Sequence, residues 1–190
     1  LRDEVDAVMV GIGTVLQDNP NLTVSLKRGN VKNPIRIIVD SQLRIPMDSN
    51  IIKSASASRK AQKSKVIIAA TKKADAKKAD ILREKGINVI EIEEENKRIN
   101  LPNLMEELGK MEITSIMIEG GSELNSAALE AGIVDKVIFF VAPKIIGGKE
   151  SVPAVGGRGF EKLSDSLNIS DVVVDRCGKD IVVEGYLKTV

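Results

Sequence analysis

Five short apolar runs, mostly Val and Ile, recur through the first two thirds of the chain, and they constrain the fold more than any other feature. They are "VDAVMVG" (5–11), "IRIIVD" (35–40), "KVIIAAT" (65–71), "INVIEIE" (87–93) and "TSIMIEG" (114–120). β-Branched side chains fit a pleated surface, so each run reads as a strand. The runs are apolar throughout instead of alternating, so both faces must be covered, as in a parallel sheet flanked by helices. Helical patterns fill the intervals. "ADAKKADILREKG" (74–86) is expected to turn Ala76, Ala79, Ile81 and Leu82 to the core and to stop at Gly86. "LPNLMEELGKM" (101–111) carries Pro102 in its first turn and presents Leu104, Met105 and Leu108. "SELNSAALEAG" (122–132) buries Leu124, Ala128 and Ala131 and ends at Gly132.

Beyond Gly132 the pattern changes. "DKVIFFVAPKII" (135–146) is a strand with no helix after it, and a glycine-rich loop, "GGKESVPAVGGRGF" (147–160), follows. "ISDVVVDRCGKDIVVEGYLK" (169–188) reads as an antiparallel hairpin turning at Gly178-Lys179. The expected architecture is α/β, a parallel body with an antiparallel C-terminal hairpin at its edge, built as one domain over residues 1–190. The apolar hairpin would be an exposed edge, which suggests a homodimer. "KSASASRKAQKS" (53–64) is read as a solvated loop.

Composition then removes whole classes of chemistry. The chain has no histidine, which excludes Ser-His-Asp triads, His-ligated zinc and imidazole acid-base catalysis within it. Aromatic content is 2% with no tryptophan, so base-stacking platforms are lacking. A net charge of +1 gives no electrostatic case for nucleic acid or an anionic membrane. No apolar run approaches the ~20 residues a membrane helix needs. Cys177 is the single cysteine, so no intrachain disulfide forms; this suggests a reducing, cytoplasmic compartment, with Cys177 packed in the hairpin. Catalysis here must rest on carboxylates, lysines, hydroxyls, backbone amides or a cofactor with its own reactivity.

Two places carry candidate chemistry. In "MIEGGS" (117–122) a strand hands over to a helix through two glycines. Unpaired amides at a helix start attract phosphate, and Gly121 lets backbone approach it closely. Ser122 could cap the helix or donate to phosphate. A tight strand–helix connection with a serine cap explains the same residues. Glu119 sits where open α/β sheets bind ligands, and a sugar hydroxyl would suit it; an ion pair with a nearby Lys or Arg is the alternative. The second place is "VGIGTVLQDNPNLTV" (10–24), where Pro20 forces Asn19 out of the helical region and Thr14 and Asp18 share one face. Thr14 as a cap and Asp18 as an Asx-turn are the plainer readings. Lys72 and Lys73, after the third strand, could read a 2′-phosphate, although the basic tract 53–85 and acidic segment 91–107 are mainly solvated faces.

Taken in order, "LRxEVDAVMVGIGTVLxDNPxLT", "PIRIIVDS", "IMIEGGSELNSAAL", "VAPKIIGG" and "GGRGF" resemble the reductase domain of the riboflavin-biosynthesis deaminase/reductase, the RibD C-terminal family, from residue 1 to the final hairpin. The resemblance implies a dihydrofolate reductase-like three-layer α/β/α fold. It also implies NADPH-dependent reduction of the ribosyl group of 5-amino-6-(5-phosphoribosylamino)uracil to ribityl. Carried over by motif, Arg2 and Leu22 would contact the phosphorylated substrate and Glu119 its polyol. Thr14, Asp18 and Ser41 would touch NADPH, and Gly121, Ser122, Glu123, Leu124, Asn125, Ser126 and Ala127 would wrap its phosphates. The family's "LTxR" arginine is Ser25 here, with Lys27 and Arg28 as candidate replacements. The family's opening strand, Lys/Asn-x-Ala-x-Ser-x-Asp-Gly, lies outside residues 1–190, and with it the best proton donor, so no residue is assigned as catalytic. A zinc deaminase domain fused on the amino side is the partner that bifunctional members imply. A non-catalytic nucleotide-binding relative and a pteridine or dihydrofolate-type reductase are the alternatives.

Overall fold

The computed structural model describes residues 1–25, 32–57 and 65–187. Five parallel strands form the central sheet: β1 (Ala7–Gly11), β2 (Ile35–Val39), β3 (Val66–Ala70), β4 (Asn88–Glu91) and, numbered after a small hairpin, β7 (Ile116–Gly120). Their order is β4-β3-β2-β1-β7, so β2 is central, β1 is an inner strand and β7 beside it is an edge. Ala7 of β1 stands opposite Ile35 of β2 on one side and Ile116 of β7 on the other.

The five apolar runs are explained by what covers each face. Val8, Val10, Ile38, Ile68 and Ala70 pack with Ile12 and Val15 of α1 (Ile12–Asp18), Ile51 and Ile52 of α2 (Asn50–Ala57), and Ala79 and Leu82 of α3 (Ala76–Glu84). The alternate residues Ala7, Met9, Ile37, Ile67 and Ala69 pack with Leu101, Leu104 and Leu108 of α4 (Leu101–Lys110) and Leu124 and Ala128 of α5 (Ser122–Glu130). Strand side chains alternate between faces, so a sheet buried on both needs apolar residues at every position. Each fully buried Leu or Ile stabilises the fold by roughly 1.5–3 kcal/mol. The three-layer α/β/α body is therefore as the sequence indicates.

Three local expectations are corrected. Ala76 and Ile81 are exposed, because only the Ala79–Leu82 line of α3 faces the sheet; Ile81 lies about 200° round the helix from Ala79. The 53–64 segment is not all loop: burial of Ile51 and Ile52 carries α2 through Ala57, and residues 58–64 lie outside the described residues. Cys177 ends a strand of the terminal hairpin but is exposed, not packed. A two-residue ladder also escaped the sequence: β5 (Glu94–Glu95) and β6 (Arg98–Ile99) are joined by Asn96 and Lys97, both left-handed (φ 49 and 64). That is a tight hairpin turn with no glycine to announce it.

The tail is a second sheet. β8 (Lys136–Val141) pairs antiparallel with β10 (Asp180–Leu187), which pairs with β9 (Ile169–Cys177) around the expected Gly178-Lys179 turn. Among the described residues β7 pairs only with β1, and β8 only with β10, so each has an open edge. No helix among the described residues is long and apolar enough to cross a membrane.

Candidate active site at the carboxyl ends of β7 and β1

β1 and β7 are neighbours, so the two motif-bearing segments that follow them emerge side by side. α1 starts on Gly11 and α5 on Gly121, and neither start has a side-chain cap. By contrast, Asp75 and Asn100 cap α3 and α4, accepting from the amides of Lys78 and Asn103. Two helix starts with free amides and the positive ends of their dipoles therefore lie together. Their closeness is measurable at the glycines: a Cβ on Gly121 would sit 3.3 Å from Thr14 Oγ1, and one on Gly11 would sit 3.7 Å from Leu124 Cβ. Gly121 has φ 63, which only glycine adopts without strain. Ser122 is the first helical residue, not the cap.

Glu119 owes its direction to an irregularity. Met9 pairs with Ile118 and Val10 with Gly120, so Glu119 is the extra residue of a bulge in β7. Its carboxylate meets Arg2 in a two-pronged ion pair, Nε to Oε1 and Nη2 to Oε2, both 2.5 Å. The alternative reading of Glu119 as an ion-pair partner is thus realised, and the partner is the other residue assigned to the substrate. Arg2 Nη1 also donates to the carbonyl of Thr23 at 2.7 Å. The Glu119 hydrogen bond raises the Arg2 pKa above its ordinary value, against a smaller lowering by burial. Leu22, in the same loop, is buried and held at φ 54, a strained conformation for a branched side chain. Asn19, out of the helical region as Pro20 requires, is left-handed and accepts two hydrogen bonds from Asn50, one from its backbone N–H and one from its side-chain amide. A cavity of about 360 Å³ opens here, lined by Leu1, Arg2, Asp3, Thr23, Val24 and Ser25. Lys27 and Arg28 lie outside the described residues.

The remaining candidates follow the carboxyl ends of the strands. Ser41, after β2, is half-buried, and its carbonyl accepts from both the amide and hydroxyl of Thr71, after β3. Asp18 is exposed one turn along α1 from Thr14. Lys73 pairs with Glu94 of the β5–β6 hairpin at 2.7 Å. Along α5, Leu124 is in the core, Ser126 is buried with its hydroxyl donating to Glu130, and Ala127 is half-buried.

The feature that sequence reasoning missed is what lies on α5. Residues 154–157 of the glycine-rich loop strap its first turns: Gly156 N–H donates to the Ser122 carbonyl (2.9 Å), Gly157 N–H to Glu123 (3.2 Å), and the Asn125 amide to the Ala154 carbonyl (2.8 Å). Glu123 also pairs with Arg98 of β6 at 3.4 Å. The two consecutive glycines were the available signal, but nothing in the sequence says what they touch.

Residues 1–183 match the family profile of the RibD C-terminal domain. The riboflavin biosynthesis protein RibD of Actinobacillus pleuropneumoniae is 37% identical over 96% of this chain and 46% of its own length. A 2,5-diamino-6-ribosylamino-4(3H)-pyrimidinone 5′-phosphate reductase of Methanothermobacter thermautotrophicus is 33% identical over 99% of this chain and 82% of its own. The solved structure of Acinetobacter baumannii RibD superposes with a TM-score of 0.78 at 27% identity, over 99% of this chain and 48% of that one. The chain thus spans about half the length of the RibD proteins it matches, and its fold is the dihydrofolate reductase-like α/β/α arrangement of those neighbours. With its family signature running unbroken from Leu1 into the terminal hairpin, the chain belongs to the RibD C-terminal domain family.

Proposed function

We propose that this chain is an NADPH-dependent reductase of riboflavin biosynthesis, converting the ribosyl group of 5-amino-6-(5-phosphoribosylamino)uracil to ribityl. The observation that carries the reading is the meeting of the Thr14–Leu22 segment with the Glu119–Ser122 bend at one end of the sheet, Thr14 against Gly121 and Arg2 joining Glu119 to Thr23. The reductase named for the Methanothermobacter relative supports the same substrate class, a ribosylaminopyrimidine phosphate.

The uncapped amides at the starts of α1 and α5 suit an anionic cofactor. Thr14, Asp18, Ser41 and the Gly121–Ala127 segment would hold it. Once bound there, reduced nicotinamide supplies the hydride. The chain's own part is positioning and electrostatics: Glu119 accepts from the sugar hydroxyls, Arg2 and the loop from Leu22 to Ser25 receive the phosphate end, and Leu22 walls the site with apolar surface.

Three further readings belong with this one. Residues 1–190 act as a single reductase domain, and a strand from outside them pairs with the open edges of β7 and β8. The apolar face of the three-stranded sheet that carries Val141, Val172 and Val174, each more than half exposed, is covered by a second copy in a homodimer. A deaminase domain on the amino side, in a cytoplasmic protein, accords with RibD relatives about twice this length.

Two measurements test the assignment. NADPH should raise the melting temperature more than NADH does. Glu119→Ala should lose turnover of the phosphoribosylaminopyrimidine while retaining NADPH affinity; loss of both together refutes the separation of substrate and cofactor roles.

A further inference from the structure

The side chains assigned to opposite ends of the substrate, Arg2 to its phosphate and Glu119 to its polyol, are bonded to each other. Both carboxylate oxygens are taken by one guanidinium, and the pair is partly shielded, with side-chain exposures of 33% and 20%. A carboxylate so engaged keeps a second lone pair on each oxygen but is a weaker acceptor for a neutral hydroxyl, because its charge is already met by a fork of matching geometry. Arg2, unlike Glu119, lines the 360 Å³ cavity, so an anion entering there meets Arg2 before Glu119. A phosphate carries about two negative charges and three acceptor oxygens, and it competes well for the same fork. Asp3 also lines the cavity, and its charge opposes an entering anion. That weakens phosphate binding and with it phosphate's advantage over Glu119 at the fork, so more phosphate is needed to open the pair.

We infer that the Arg2–Glu119 pair is a specificity latch: phosphate at Arg2 releases Glu119, which only then binds the substrate's hydroxyls. The inference rests on the reductase reading for the nature of the substrate. Arg2 keeps its hold on the Thr23 carbonyl through Nη1, so the loop stays in place while the fork changes partner. A sugar without phosphate leaves the latch closed and meets a neutralised Glu119. Discrimination between phosphorylated and unphosphorylated sugar therefore exceeds what one phosphate contact gives, and the two ends of the ligand bind cooperatively although they touch different residues.

The test is a linkage measurement on the 190-residue chain, by calorimetry with ribitol, inorganic phosphate and ribitol 5-phosphate. Saturating phosphate should tighten ribitol binding about fivefold or more, and ribitol should tighten phosphate by the same factor. In Arg2→Gln, ribitol alone should bind as it does to phosphate-saturated wild type, and phosphate should no longer change it. Glu119→Gln should bind phosphate more tightly than wild type, with no coupling to ribitol. Arg2→Lys, which keeps the charge without the fork, should retain part of the coupling. Melting curves check that each variant is folded. If ribitol 5-phosphate binds but phosphate and ribitol are independent in wild type, the latch is refuted and the reductase reading survives. The latch is likewise refuted if Arg2→Gln weakens ribitol binding. If folded wild type binds no ribitol 5-phosphate, both readings fall.

Discussion

Gly157→Ala gives the sharpest check on the strap that lies over α5. A Cβ built at Gly157 would stand 2.1 Å from Ser126 Oγ and 2.9 Å from Ser126 Cβ, and the residue has φ 75. The backbone conformation alone costs roughly 1 kcal/mol in an L-residue. Turning Ser126 Oγ away gives up its hydrogen bond to Glu130 and relieves the shorter contact, but rotation leaves Ser126 Cβ in place, so the strap must also shift against its bonds to Ser122, Glu123 and Asn125. Each lost bond costs about 1 kcal/mol. The backbone cost and the lost Glu130 bond already total about 2 kcal/mol, which raises the open fraction of the strap roughly thirtyfold. Trypsin cleavage after Arg158, next to Gly157, reads that fraction under native conditions, since cleavage tracks the open population when opening and closing are fast. Arg158 should be cut roughly thirty times faster in the variant. Adding Ser126→Gly removes both atoms that collide, so the double variant should recover all but the backbone cost. Cleavage within twofold of wild type in Gly157→Ala, or a double variant no slower than the single, would refute the packing argument.

Other outcomes follow from the same structure. Leu104 is fully buried in the layer under α4, so Leu104→Ala should lower unfolding free energy by about 2–5 kcal/mol in urea denaturation, with the slope unchanged. The Asp6 carboxylate is held below its ordinary pKa, chiefly by the Thr114 hydroxyl and then by the Thr114 amide. A depressed carboxyl stabilises the fold above its unfolded pKa of about 3.9 and loses that contribution as pH falls through its folded value. Asp6→Asn should therefore flatten the acid side of the melting-temperature profile below about pH 4; an unchanged acid slope would remove Asp6 from that account.

The site was legible in parts. The segments that follow β1, β2 and β7 occupy the carboxyl end of the sheet, because a parallel sheet delivers every following loop to that end, whereas Arg2 precedes β1 and meets Glu119 through its side chain. Thr14 and Gly121 could be named separately, but their contact depends on β1 and β7 being neighbours, across more than a hundred residues of sequence. Glu119 was read as an acceptor for a sugar hydroxyl with an ion pair as the alternative, but the identity of its partner, Arg2, was not legible, since the two are adjacent only after folding. The bulge that aims it leaves no mark in "IMIEGG". α3 shows the limit on a smaller scale: Ile81 has the chemistry of a core residue, yet the helix turns it to solvent.

What the sequence determined is local and periodic. Unbroken Val and Ile runs can bury both faces only in a covered parallel sheet, and Pro20, Gly86 and Gly178 set turns through their own backbone limits. The tertiary structure decided everything that depends on neighbours distant along the chain: the β4-β3-β2-β1-β7 order, the separate β8–β10–β9 sheet, the strap on α5 and the Arg2–Glu119 pair. Periodicity records which way each residue faces within its own element. Pair identities arise only when elements pack, because hydrogen bonds and ion pairs are short-ranged and need both partners in place.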